Sequence, residues 1–250
     1  MMQTPASKAP ALEDTVARRA VEVALAAARE AAELLREGFR VKDLQIDKKS
    51  AVDPVTEYDR RAEELISGRL REAFPDHRLC GEEHGHSGAD EADLERPIWY
   101  IDPLDGTVNF THRIPWYAIS LGLEVQGQGT AAVVLAVEQG WELSAVAGQG
   151  TLRDGQPARV SSADTLLSSL AATGFPYQRE FDDNVDRLHT MLHRCQGIRR
   201  MGTASLDLAG IACGWLDAYW EPGLKPWDMS AGALLVSEAE VAHPPSDTPI

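Results

Sequence analysis

The run Asp102-Pro103-Leu104-Asp105-Gly106-Thr107 puts two carboxylates three residues apart on what reads as one tight turn. A proline restricts the residue before it to extended backbone and cannot donate to a strand ladder, so Asp102 is held extended at a strand end. Gly106 permits close backbone approach, and successive amides in such a turn can face an anion. Two carboxylates beside exposed amides suit a hard cation plus phosphate better than a cation alone. A lone D-x-x-D is more often an Asx-turn with solvated acids. The setting argues against that here, because the acids follow the apolar run Ile98–Ile101 and precede Asn109-Phe110.

Other acids are candidates to join them. Gly81-Glu82-Glu83 follows a short strand-like segment, Arg78-Leu79-Cys80, and strand ends are where ligands sit in α/β proteins. Adjacent glutamates on extended chain point opposite ways, so one is expected to be a ligand and the other a support. Asp228 opens the last helix between Trp227 and Met229, apolar neighbours that disfavour an ordinary exposed helix-start charge. Asp59 falls in the first turn of the second helix, where spacing alone makes it structural. Converging carboxylates need cations, and Mg²⁺ takes oxygen ligands while leaving positions for phosphate and water. Rival chemistries lack their motifs. There is no GxxxxGK[ST] loop, no HExxH pair among the histidines and no G-x-S-x-G around Ser144, Ser168 or Ser205.

The elements that must position these residues follow from periodicity. Apolar residues recur through 12–39 at helical steps (Val16, Ala20, Val23, Ala27, Ala31, Leu34, Phe39), with Gly38 as a stop signal. A polar loop is expected at 47–50. Asp53 or Thr56 can cap a second helix with core face Ala62, Leu65, Ile66 and Leu70, ending near Phe74-Pro75. Residues 84–95 read as an acidic loop, and 98–101 as a strand halted by Asp102-Pro103. Strands are expected at 116–125, 130–138 and 141–147, with a hairpin turn at Asp154-Gly155. Further on come a strand at 165–174, helices at 182–195 and 203–213, a strand at 215–220 and a helix at 227–239. This mixture is an α/β (or α+β) fold. A soft boundary near residue 150 divides it. Residues 1–150 form an N-terminal α+β domain with most metal-ligand candidates, and 151–250 a C-terminal α/β domain with Asp228.

Composition narrows the partners. With 39 acidic against 24 basic residues the net charge is −15, which disfavours a nucleic-acid surface. Three cysteines without a CxxC pair read as reduced thiols. Residues 1–10 lack the apolar core of a secretory signal, and no stretch approaches the ~18 apolar residues of a membrane span. A soluble, cytoplasmic protein is expected.

Four segments, in order, carry a resemblance: Asp53-Pro54-Val55-Thr56-Glu57-Tyr58-Asp59, Gly81-Glu82-Glu83, Trp99 to Phe110 around the central run, and Trp227-Asp228-Met229-Ser230-Ala231-Gly232. Together they resemble the inositol monophosphatase family of lithium-sensitive, Mg²⁺-dependent phosphatases, over nearly the whole chain. The resemblance implies a layered αβαβα sandwich of the sugar-phosphatase type, commonly a homodimer, with two or three Mg²⁺ per site. Glu82, Asp102 and the Leu104 carbonyl would hold the first metal, and Asp102, Asp105 and Asp228 the second. A third, weaker metal would also lean on Glu82. Thr107 and Asp59 would orient and deprotonate the attacking water, which reverses the structural reading of Asp59. Amides of Gly106 and Thr107 would receive the phosphate. Asp105, Gly202, Thr203, Ala204, Glu221 and Asp228 would contact the substrate.

The implied reaction is in-line hydrolysis of a small phosphate monoester by metal-activated water, without a phosphoenzyme. Asn109-Phe110-Thr111-His112-Arg113-Ile114-Pro115 resembles the branch acting on inositol 1-phosphate. Fructose 1,6-bisphosphate, NADP or another sugar or nucleotide phosphate is the alternative substrate, and a non-catalytic scaffold the alternative role. The family usually continues past Glu238-Ala239 into a Gly-Gly pair and about 20 further residues, of ordinary element length. Here the chain reads Glu240-Val241-Ala242-His243-Pro244-Pro245 and stops at Ile250, so an irregular tail is expected from about residue 241.

Overall fold

Small residues set how the first helix packs. In the computed structural model, which describes residues 14–42, 44–50, 53–88, 95–176 and 182–240, α1 (Asp14–Arg40) buries Ala20, Ala24, Ala27, Ala28, Ala31, Ala32 and Leu35. The expected members Val16, Val23, Leu34 and Phe39 are only partly buried. Alanines let the helix axis come close to its neighbours, which moves the larger side chains to the margins of the contact. The expected irregular tail from about residue 241 lies outside the described residues.

The segment expected as a polar loop at 47–50 is instead part of a strand. β1 (Ile46–Ser50) pairs antiparallel with β2 (Asp53–Thr56), Ile46 opposite Thr56. Cross-strand hydrogen bonds, which composition does not report, make this hairpin. Thr56 then caps α2 (Glu57–Ala73), its Oγ1 accepting from the Tyr58 amide. The acidic loop expected at 84–95 also carries a strand. β3 (Arg78–Gly81) turns back into β4 (Gly85–Gly88), with Gly85 at φ +66° making the reversal.

β5 (Ile98–Asp105) is not halted at Asp102-Pro103, as the sequence predicts, but continues to Asp105. Its pairing slips between Asp102 and Asp105, and Pro103 sits in that irregularity, where a missing amide costs no ladder bond. One short helix, α3 (Thr107–Thr111), follows at once and was not anticipated. The strands β6 (Ala118–Val125), β7 (Gln128–Ala136), β8 (Trp141–Val146), β9 (Gly150–Arg153) and β10 (Gln156–Pro157) form a meander. Asp154 and Gly155 both have positive φ, the geometry of the expected hairpin turn.

A 3₁₀ turn (Leu166–Ser168) leads into β11 (Leu170–Thr173), followed by α4 (Asp182–Leu192) and β12 (Gly197–Arg199), a strand the periodicity missed. The chain then forms α5 (Ala204–Ala212), β13 (Ala218–Trp220) and α6 (Pro226–Glu240). The large sheet runs β10-β9-β8-β7-β6-β5-β3-β4, and a small parallel sheet runs β12-β11-β13. α1 and α2 share one core with the large sheet, built around Trp99, Ile101, Leu121 and Leu135. α5 and α6 cover its other face through Leu206, Ala209, Ala231 and Leu235. α5 also touches β13. α4 ties to the small sheet through Asn184, which donates to the Gly174 carbonyl and accepts from Trp220 Nε1. Helix, sheet, helix, sheet and helix stack as a layered mixed α/β structure.

α6 lies on β6 at an unusually small separation. A Cβ on Gly122 would stand 2.4 Å from Ser230 Oγ and 2.8 Å from the Ala231 amide. Close approach of another element is a recurrent reason for glycine inside a strand. It carries the first turn of α6, and Asp228 with it, down onto the sheet beside β5.

Candidate active site

The site forms where β5 ends and α3 begins. Asp102 is buried, and its Oδ1 accepts from the Leu104 amide at 3.0 Å. Asp105 Oδ2 accepts from both the amide and the hydroxyl of Ser205, at 2.7 and 2.6 Å. Gly106 has φ +96°, and a Cβ there would meet Thr203 Oγ1 at 2.7 Å. Glycine is therefore required twice over, for the turn and for the contact that brings α3 against the start of α5. Asn109 fastens the same junction, its Nδ2 lying 2.8 Å from the Trp116 carbonyl and 2.9 Å from that of Met201.

Thr107 and Asp59 meet just beyond the end of β5, where the first turns of α3 and α2 come together. The Thr107 hydroxyl has one proton and two acceptors in reach, Asp59 Oδ1 at 3.2 Å and the Leu104 carbonyl at 3.0 Å. Asp59 Oδ2 is occupied elsewhere, accepting from the Thr56 amide at 2.9 Å and the Thr56 hydroxyl at 2.5 Å. That is a capping box with aspartate in the N3 place. One Asp59 oxygen therefore caps the helix, and the other faces Thr107.

Glu82 and Asp228 complete the acidic wall. β3 runs parallel to β5 with Gly81 opposite Ile101, and the Glu82 amide donates to the Ile101 carbonyl at 3.1 Å. Of the two neighbouring glutamates, Glu82 is the one whose charge acts on Asp102, Asp105, Asp59 and Asp228. Asp228 Oδ2 accepts from the Lys225 amide at 2.6 Å.

The electrostatics of this group are those of carboxylates in need of a cation. Burial raises Asp102 well above the usual carboxylate range, with Glu82, Asp105 and Asp228 adding to it. Glu82 thus acts on Asp102 at short range, as one carboxylate opposing the ionisation of another. Burial pushes Asp105 up to about 7 against the pull of Ser205, helped by Asp228 and Glu82. Asp228 and Asp59 are each pushed up to about 6, chiefly by desolvation. The donors are all oxygen: four carboxylates and the Leu104 carbonyl. That set fits a hard divalent ion such as Mg²⁺ and lacks the His and Cys donors usual for zinc. Among the described residues, no three His, Cys, Asp or Glu side chains are already drawn around one point as in a filled cage.

The remaining expected residues rim the same region. Gly202 has φ +83°, Thr203 donates to the Trp116 carbonyl at 3.1 Å, and Ala204 starts α5. Glu221 Oε2 accepts from the Tyr219 hydroxyl at 2.5 Å, and burial raises the Glu221 carboxyl. A Cβ on Gly174 would fall 1.8 Å from Glu221 Oε2, so this glutamate is packed hard against the strand end after β11.

Sequence reasoning missed Ser205, Asn109 and Asp207. Two of them have no signal of their own, because a lone serine or asparagine is defined only by what it reaches. Asp207 is buried on α5 with Oδ1 unpaired. Burial pushes its carboxyl up to about 8, with Asp105 and Glu221 adding and Arg200 opposing. Folding therefore favours the protonated form, and this contribution to stability is lost as pH rises from about 4 through about 8. Between about pH 5 and about pH 9, Asp207→Asn should gain on the order of 2 kcal/mol over the parent chain in the metal-free protein. Urea melts at the two pH values measure this, and an unchanged difference would contradict it.

The inositol monophosphatase family pattern matches residues 17–242. The chain belongs to the inositol monophosphatase family. It is 43% identical over 226 residues to the Nus factor SuhB of Pseudomonas aeruginosa, covering 88% of this chain and 82% of that one. An inositol-1-monophosphatase of Synechocystis is 40% identical, covering 88% and 75%. The solved extragenic suppressor protein suhB of Bartonella henselae superposes with a TM-score of 0.83 at 36% identity, covering 88% and 85%. Membership in the inositol monophosphatase family supports phosphatase activity at the level of the family. None of the described helices is long and apolar enough to cross a membrane, and the three cysteines are unbridged.

Proposed function

We propose that this chain hydrolyses a small phosphate monoester, inositol 1-phosphate first among the candidates, with Mg²⁺ as cofactor. The observation that carries the reading is the convergence of Glu82, Asp102, Asp105 and Asp228 beside the Thr107–Asp59 pair. Glu82, Asp102 and the Leu104 carbonyl would hold one cation, Asp102, Asp105 and Asp228 a second, and Glu82 would contribute to a weaker third. Bound Mg²⁺ supplies charge neutralisation at the phosphoryl and leaving oxygens and a lowered pKa for water.

The chain's own groups do the positioning. Thr107 donates to Asp59, which leaves its oxygen to accept from the attacking water and hands Asp59 the proton through a short relay. Amides of Gly106 and Thr107 face the phosphate. Substrate hydroxyls meet Asp105, Gly202, Thr203, Ala204, Glu221 and Asp228. The charged members of this rim, Asp105, Glu221 and Asp228, are all acidic, which suits a neutral polyol better than a second phosphate. The reading brings with it lithium inhibition, a homodimer, a cytoplasmic setting and the division of the chain near residue 150.

A scaffold role is the second reading, because the P. aeruginosa relative is named a Nus factor. It gives Thr107 and Asp59 no task, and the net charge of −15 disfavours a nucleic-acid partner. The test is phosphate release from inositol 1-phosphate, fructose 1,6-bisphosphate, NADP and 3′-phosphoadenosine 5′-phosphate, in Mg²⁺ with and without Li⁺. Turnover of inositol 1-phosphate above the rest is expected. Turnover of none of the four would leave the scaffold reading standing.

A further inference from the structure

We infer that Glu63 is the positioning residue of the Glu82 arm, setting that arm for a cation before one arrives. The inference rests on the hydrolytic reading, which gives Glu82 a metal to hold. Glu63 lies one turn after Asp59 on the same side of α2 and is 1% exposed. Its Oε2 accepts from the Glu83 amide at 2.7 Å, and its Oε1 accepts from the His84 amide at 3.0 Å. His84 Nδ1 stands 2.9 Å from the same Oε1. The Gly81 backbone presses so closely that a Cβ would fall 2.1 Å from Glu63 Oε1.

Glu82 is therefore bracketed. Its own amide is tied to β5 at Ile101, and the next two amides are tied to one buried carboxylate. Fixing those peptide planes fixes where the Glu82 side chain leaves the chain. Only a carboxylate suits the place, since it accepts at both oxygens, whereas a glutamine would turn an N–H donor toward one of the amides. An apolar side chain of the same volume would take away both of these acceptors from the Glu83 and His84 amides. α2 thus presents two acids a turn apart, Asp59 toward Thr107 and Glu63 beneath the Glu82 turn.

The test uses the full chain and Glu63→Gln, with Mg²⁺ binding read by calorimetry and phosphate release read against Mg²⁺ concentration. Groups that orient a metal ligand typically govern about 10–100-fold in affinity. Mg²⁺ affinity is expected to fall by about that factor, with kcat at saturating Mg²⁺ within about threefold of the parent. A folded Glu63→Gln that binds Mg²⁺ within about twofold of the parent overturns the role, as does a lowered kcat with unchanged Mg²⁺ dependence. Should Glu63→Gln fail to fold, amide exchange in the metal-free parent decides. Slow exchange at Glu83 and His84 supports the bracket, and fast exchange there overturns it. A parent chain that binds no Mg²⁺ and releases no phosphate overturns the hydrolytic reading itself. A parent that does both, beside an unchanged Glu63→Gln, overturns only the part given to Glu63.

Discussion

Asp105→Asn is expected to lose about a thousandfold or more in kcat/KM for phosphate release while folding normally, because the change removes a charge and keeps a shape. An asparagine can turn its carbonyl toward Ser205 and retain both hydrogen bonds that now hold Asp105 Oδ2. What it cannot do is offer an anionic oxygen to a cation. Charge stabilisation at the phosphoryl group is worth several kcal/mol, and ~4 kcal/mol corresponds to about a thousandfold. Stability moves the other way. Burial and its acidic neighbours raise Asp105 to about 7, so its ionised form costs folding free energy above that pH. The metal-free variant should therefore melt at least as high as the parent at about pH 8. Phosphate release and thermal melts on the same preparation check both halves. A variant as active as the parent would sink the assignment.

The second large effect belongs to Thr107. Thr107→Ala should lower kcat by about 10²–10⁴, the range of a positioned proton-transfer group, and leave Mg²⁺ affinity nearly unchanged. The hydroxyl lies between Asp59 Oδ1 and the Leu104 carbonyl, and alanine leaves both acceptors in place. The capping box uses the other oxygen of Asp59, so α2 keeps its start. Thr107→Ser, which restores a hydroxyl at the same carbon, should recover most of the rate. Steady-state kinetics in saturating Mg²⁺ with calorimetry alongside separates this loss from a metal-binding defect. A parallel loss of Mg²⁺ affinity would show that Thr107 supports the ligands rather than the water.

Much of this architecture could be read from local pattern. The meander from 118 to 146, the Asp154-Gly155 turn and the helices α2, α5 and α6 follow from apolar runs, glycine placement and, for α2, capping. The misses share a cause. β1 at 46–50, β4 at 85–88 and β12 at 197–199 are short strands whose existence depends on a partner strand, not on their own apolar content. Asp102-Pro103 looked like a strand end because a proline there removes a ladder bond. A slipped register absorbed it, and slips are a property of two strands together. The alanine stripe of α1 is similar, since periodicity located the face while only the neighbouring elements decided how close it sits.

The same division runs through the candidate site. Sequence alone determined the kinds of groups present: paired aspartates on a Gly-containing turn, a Glu-Glu after a strand, an aspartate opening the last helix, and carboxylates that could converge only around cations. Those are statements of residue type and local spacing, which covalent geometry carries directly. Tertiary structure decided which of them meet. It set the Glu82 charge against the aspartates, turned one Asp59 oxygen to the Thr56 cap and the other to Thr107, and brought Ser205, Asn109 and Asp207 beside them where spacing gave them no claim. It also put Glu63 beneath the Glu82 turn, twenty residues away along the chain and 2.7 Å away in space. Contacts of that kind depend on how α2, β3, β5 and α5 stack, and stacking is set by the burial of the whole chain rather than by any one segment of it.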